Sequence, residues 1–117
     1  MSHILLAEDE FLIRAVLVDA LGEIGLSCIE APTGQAALDA VTGEVPLSAI
    51  IVDIGLPDMS GEKVIEAAVL RRPGTPIIRC SGAGPTGGVD TPGVHVVSKP
   101  YSAAELSKFV ASLIARP

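Results

Sequence analysis

LSAIIVDI, the run from Leu47 to Ile54, carries no charge until Asp53 and is bounded by turn formers, Gly43 and Pro46 before it and Gly55 and Pro57 after it. The run is too short for an ordinary helix and its apolar residues do not alternate with polar ones. That is the pattern of a strand buried on both faces of a parallel sheet. Similar runs recur on either side of it. His3 to Ala7 reads as a first strand, Ser27 to Ala31 as a weaker second, Thr75 to Cys80 as a fourth and Val94 to Ser98 as a fifth. Helical patterns lie between them: Glu10 to about Ile24, stopped by Gly25; a short helix opened by Pro32-Thr33-Gly34 and running to about Val41; and Glu62 to about Arg71, stopped by Pro73-Gly74. Ser102 to about Ala115 closes the pattern, with Ser102 three residues before Glu105 as a helix-capping signature. Alternating strands and helices predict an α/β domain around a parallel sheet. The alternation fails only at Ser81 to Gly93, where five glycines and two prolines in thirteen residues exclude a regular helix of normal length.

Composition narrows the function classes. A chain of 117 residues is one domain's worth, and 49% hydrophobic residues against 19% charged ones supply a core. Phe11, Tyr101 and Phe109 are the only aromatics besides histidine, so the core is expected to be aliphatic and no base-stacking platform is foreseen. Fourteen acids against eight bases, a net charge of −6, oppose a face that neutralises phosphates, and no direct nucleic-acid binding is expected. Cys28 and Cys80 stand far apart without metal-ligand spacing and read as two small core residues in a reducing compartment. The N-terminus lacks a basic leader and no apolar run approaches the ~18 residues of a membrane span, so a cytoplasmic, soluble protein is expected.

The acids are not scattered. Ligands of an open parallel sheet bind outside the carboxyl ends of its strands, at the topological switch point. Glu8, Asp9 and Glu10 directly follow the first strand, and Asp53 stands near the end of the third. In a flavodoxin-like strand order, 2-1-3-4-5, these two strands are neighbours and Asp9 and Asp53 converge. Like charges that close are unfavourable without a cation between them, and an all-oxygen set suits Mg²⁺, or Mn²⁺, better than zinc. Taken singly, each residue has a plainer reading: Glu10 as a helix N-terminal charge, Ser81 as a turn residue, Lys99 as a surface lysine. Together, a hydroxyl after strand four and an ammonium after strand five complete a phosphoryl-transfer set in which Asp53 is the nucleophile.

These residues resemble the receiver domain of two-component response regulators over essentially the whole chain. The resemblance rests on the acidic pair Glu8-Asp9, Arg14 in the first helix, and Asp53-Ile54-Gly55-Leu56-Pro57-Asp58-Met59-Ser60-Gly61, which matches the family's D-x-x-[ML]-P-x-M-x-G segment. Ser81-Gly82 and Lys99-Pro100 complete it. It implies a (βα)5 three-layer sandwich, with Asp53 accepting a phosphoryl group from a phosphohistidine on a histidine kinase or histidine phosphotransfer protein. It also implies Mg²⁺ bound by Asp9, Asp53 and the Gly55 carbonyl, with Glu8 acting through water, Ser81 and Lys99 on the phosphoryl oxygens, and a cis Lys99-Pro100 bond. Such a domain is no enzyme in the ordinary sense, catalysing only its own phosphorylation and dephosphorylation.

Two positions depart from the family. Val96 stands where a Tyr or Phe is usual, and His95 beside it is expected on the opposite sheet face. Ser81 to Gly93 replaces or shortens the usual fourth helix, so switching is expected through order and disorder of that segment. On the first helix, Ile13, Leu17, Ala20, Leu21 and Ile24 are expected to face the sheet, leaving Phe11, Leu12, Ala15, Val16 and Val18 as a candidate docking patch for the phosphodonor; deeper burial or a weak homodimer are the alternatives. A single receiver domain over residues 1–117 with no output domain is expected. The competing readings are a Mg²⁺-dependent phosphohydrolase of similar fold and a non-phosphorylated pseudo-receiver.

Overall fold

The computed structural model describes residues 2–82 and 93–114. The elements are β1 (His3–Ala7), α1 (Phe11–Glu23), β2 (Cys28–Ala31), α2 (Gly34–Thr42), β3 (Leu47–Asp53), α3 (Gly61–Arg71), β4 (Ile77–Ser81), β5 (Val94–Ser98) and α4 (Ala103–Ile114). The five strands form one parallel sheet in the order β2-β1-β3-β4-β5. This is the flavodoxin-like order expected from the sequence. The expected irregularity in place of a helix between β4 and β5, and the order–disorder switch built on it, lie outside the described residues.

Both faces of the sheet are covered, which is why its central strands could afford no alternation. On one face Leu5, Ala7, Ile50, Val52 and Ile77 pack with Ala37 and Val41 of α2 and Val64, Ile65 and Ala68 of α3. On the other, Ile4, Leu6, Ala49, Ile51, Ile78 and Cys80 pack with Leu17 and Leu21 of α1 and Leu106 and Val110 of α4. The core is aliphatic, as the scarcity of aromatics requires. Cys80 is buried and Cys28 half-buried, both with free thiols. Burial pushes these thiols up, to about 12 for Cys80 and about 11 for Cys28, so both stay protonated. Among the described residues no helix is long and apolar enough to cross a membrane.

Element ends follow local chemistry. Thr33 Oγ1 accepts from the Ala36 N–H, Ser60 Oγ from Glu62 and Ser102 Oγ from Glu105, starting α2, α3 and α4. Helix α1 ends in a Schellman turn, with Leu26 N–H on the Leu21 carbonyl, Gly25 N–H on that of Gly22, and Gly25 at φ +84°. Two expectations for α1 are corrected here. Ile24 does not face the sheet: it is 43% exposed, and Leu26 packs into the core just beyond the turn. Val18 is not part of an outward patch, because it packs against the core on the α1–α4 face. Strand β4 also starts and ends later than read: Pro76 has no N–H to give the ladder, so Ile77 makes the first donation, to Gly93. At its far end the ladder extends through Ser81, whose carbonyl accepts from Lys99.

Candidate phosphoryl-transfer and metal site

Strands β1 and β3 are the neighbours from which the chain winds outward in both directions, so their carboxyl ends open a crevice between the flanking loops. Glu8 follows β1 directly and is buried, with its main chain held from two sides. Its N–H donates to Ala31 at 3.0 Å, and its carbonyl accepts from Arg14 Nη1 at 2.9 Å. Arg14 Nε also reaches Glu30 Oε1 of β2 at 2.9 Å, which ties α1 to the sheet edge. Asp53 is the last residue of β3 and also buried. One ligand oxygen from each of Glu8, Asp9 and Asp53 lies within 4.8 Å of the others, with Asp9 the exposed member.

Lys99, immediately beyond β5, enters this cluster from the side. Its Nζ is 3.0 Å from Asp53 Oδ1 and 3.7 Å from Glu8 Oε1. Burial works against the ammonium, but the Asp53 hydrogen bond and the Glu8 and Asp53 charges outweigh it and hold its pKa above the ordinary value. Glu8 shows the opposite strain. Burial, with repulsion from Asp53 and Asp9, pushes its carboxyl up to about 7 despite the Glu10 N–H at 3.1 Å and the Lys99 charge. Three carboxyls against one ammonium leave negative charge uncompensated. The set is all oxygen, so its chemistry fits a hard divalent cation.

Gly55 follows on the β3–α3 loop, and its N–H donates to Asp53 Oδ1 at 3.2 Å. Ser81 closes β4, buried, in register with Ser98, and its carbonyl accepts the Lys99 N–H at 2.9 Å. The Lys99–Pro100 peptide is cis. His95 lies edge-on to Phe109 of α4 with ring centroids 5.5 Å apart, and Val96 projects to the opposite face and is 48% exposed. Phe11, Leu12 and Val16 are exposed on α1, while Ala15 is half-buried.

Some residues beside the site had no role in the sequence reading. Arg79, inside β4, is buried and pairs with Glu62 of α3 through Nη2–Oε2 at 2.6 Å and Nε–Oε2 at 3.1 Å. The signal was available, since a charge inside an apolar strand demands a partner. Asp58 accepts from the Gly34 and Gln35 N–H groups of α2, at 2.7 and 2.9 Å. No local pattern marks that contact, because its partners lie more than twenty residues away.

A doubly wound sheet with an aspartate, an acidic pair and a lysine at its switch point is the arrangement of aspartate-based phosphoacceptor domains. Residues 4–111 match the response regulator receiver domain, and the chain belongs to that family. Solved receivers share the fold. A response regulator receiver protein from Sinorhizobium medicae superposes with a TM-score of 0.84 at 23% identity, covering 97% of this chain and 94% of that one. A CheY-like receiver domain protein from Methanospirillum hungatei gives 0.80 at 25% identity, covering 97% and 94%. The receiver domain of the hybrid histidine kinase CckA gives 0.80 at 25% identity, covering 97% and 99%. No curated protein matches the sequence. The protein is thus a response regulator receiver domain of two-component signalling, and the phosphohydrolase and pseudo-receiver readings are not favoured.

Proposed function

We infer that Asp53 is the phosphoacceptor and that its phosphodonor is a phosphohistidine on a histidine kinase or phosphotransfer protein. The observation that carries this reading is Lys99 Nζ at 3.0 Å from Asp53 Oδ1 beside three carboxylates that share one small volume. An Asp53 carboxylate oxygen attacks phosphorus, the phosphorus–nitrogen bond to the donor histidine breaks, and the imidazole leaves with the bonding pair. Lys99 faces the developing charge on the phosphoryl oxygens, and the Ser81 hydroxyl donates to another of them. Asp9, Asp53 and the Gly55 carbonyl would hold Mg²⁺, with Glu8 acting through water. The cation, when bound, offsets charge on the carboxylates and the transferring group. The same groups serve hydrolysis of the acyl phosphate, so the domain catalyses only its own phosphorylation and dephosphorylation.

The docking surface for the donor is the exposed end of α1, where Phe11, Leu12 and Val16 lie beside a shallow apolar groove shared with Tyr101 and Ala103. The reading places the domain in the cytoplasm with its phosphohistidine donor. Incubation with acetyl phosphate and Mg²⁺ followed by intact-mass measurement tests the reading. A single phosphoryl adduct that chelator abolishes is expected. Continuous phosphate release from added phosphomonoesters, without an adduct, would support the hydrolase instead.

A further inference from the structure

We propose that Asp58 is a positioning residue that holds the Gly55 carbonyl in place for the divalent cation, by clamping the β3–α3 loop to the N-terminus of α2. The inference rests on the receiver chemistry above. It concerns how the loop from Gly55 to Ser60 keeps its shape.

At its base the loop is closed by the Gly61 N–H on the Ile54 carbonyl at 2.9 Å. The closure is tight enough that a Cβ on Gly61 would lie 2.4 Å from the Asp53 carbonyl oxygen. Gly55 itself is exposed, and a Cβ there would meet nothing closer than Asp53 Oδ1 at 4.0 Å. Gly55 is tied at its own N–H to Asp53 Oδ1, at 3.2 Å, and Leu56 beside it packs into the core, so the near side of the loop is anchored and the outer side, Pro57 to Ser60, depends on other contacts. The far end is held by Asp58, whose Oδ1 accepts from Gly34 N–H at 2.7 Å and Oδ2 from Gln35 N–H at 2.9 Å. Met59 follows directly and packs over Gly34, so closely that a Cβ on Gly34 would lie 2.3 Å from its Cγ.

Helix α2 does not depend on Asp58 for its start, since Thr33 Oγ1 already accepts from Ala36 N–H at 3.1 Å. The two Asp58 bonds instead join α2 to a loop that begins two residues after Asp53. The Gly34 and Gln35 amides hold the Asp58 carboxyl below the usual carboxylate range, so both oxygens accept at neutral pH. Without this clamp the outer side of the loop loses its tie to α2, and the order it must regain when the cation binds would be taken from the affinity.

Isothermal titration with Mg²⁺ alone tests the proposal on wild type, Asp58→Ala, Asp58→Asn and Thr33→Ala, with thermal unfolding of each followed by circular dichroism. Asp58→Ala is expected to raise the Mg²⁺ dissociation constant about tenfold. Asp58→Asn, which keeps one acceptor, should fall between it and wild type. Thr33→Ala should lose comparable helix stability yet bind Mg²⁺ like wild type. Wild-type affinity in Asp58→Ala, or equal weakening in Thr33→Ala, would overturn the proposal. A wild-type protein that binds no Mg²⁺ would overturn the Mg²⁺-dependent phosphoacceptor reading itself.

Discussion

Lys99 Nζ stands 3.0 Å from Asp53 Oδ1, so the ammonium already occupies one face of the carboxylate proposed as phosphoacceptor. The same ammonium is 3.7 Å from Glu8 Oε1 and partly neutralises a second buried acid. Such a cation has two opposing effects. It stabilises charge that develops on a transferring phosphoryl group, and it competes with a metal ion for the same oxygens.

Lys99→Met should therefore separate the two. Phosphorylation by acetyl phosphate is expected to slow about a hundredfold, while Mg²⁺ binds more tightly than to wild type. Stopped assays of adduct formation and a Mg²⁺ titration read these independently. Weaker Mg²⁺ binding in the variant would show that Lys99 organises the carboxylates rather than competing for them.

Glu8 gives a pH prediction. Its carboxyl rises from 4.5 to about 7 on folding, so the folded state holds its proton more tightly than the unfolded chain. The resulting stabilisation is fully present below about 4.5 and is lost as pH rises through about 7, a loss on the order of 3 kcal/mol. Urea unfolding without divalent cations at pH 5.5 and pH 8 should show most of it, about 2 kcal/mol, as a difference between wild type and Glu8→Gln, which lacks the titration. Parallel pH dependence in the two proteins would contradict it.

The exposed apolar end of α1 predicts a donor-specific effect. Phe11→Asp or Val16→Asp should slow phosphotransfer from a phosphohistidine donor about tenfold, a cost of about 1.4 kcal/mol. Phosphorylation by acetyl phosphate should be unchanged, because both side chains lie outside the carboxylate cluster. Equal losses with both donors would refute docking there.

Arg79 and Glu62 offer a stability contrast. Glu62→Ala leaves the buried Arg79 guanidinium without its partner and should cost about 1–3 kcal/mol, less than a fully buried pair because Glu62 is 44% exposed. Arg79→Met removes the charge that needs a partner and keeps the long apolar stem, so it should cost less than Glu62→Ala. Chemical unfolding of both variants gives the order, and a larger loss for Arg79→Met would contradict it.

The sheet was legible because its physics is local: a strand covered on both faces is apolar where it is covered, and Ala49 to Val52 is. The site was legible because parallel strands deliver their carboxyl ends to one edge, so Glu8, Asp9, Asp53 and Lys99 could be brought together by topology alone. What escaped depended on contacts that no period encodes. Helical spacing turned Ile24 inward, but the Gly25 turn ends the helix and brings Leu26 to the core in its place. Val18 falls beside the exposed patch by sequence, yet it is half-buried against the cluster that Leu17 and Leu21 share with α4. Arg72 had no part in the sequence reading, and its guanidinium collects the carbonyls of Ala40, Val41, Gly43 and Val45 at the end of α2.

The most direct test of the central claim is the position of the phosphoryl group. Wild-type protein phosphorylated with acetyl phosphate and Mg²⁺ is trapped with borohydride, which reduces an aspartyl phosphate to homoserine, and its peptides are mapped by mass spectrometry. Homoserine at position 53 alone, with no adduct in Asp53→Ala, is the predicted result. Reduction at another acid, or an adduct that persists in Asp53→Ala, would contradict the assignment of Asp53 as phosphoacceptor.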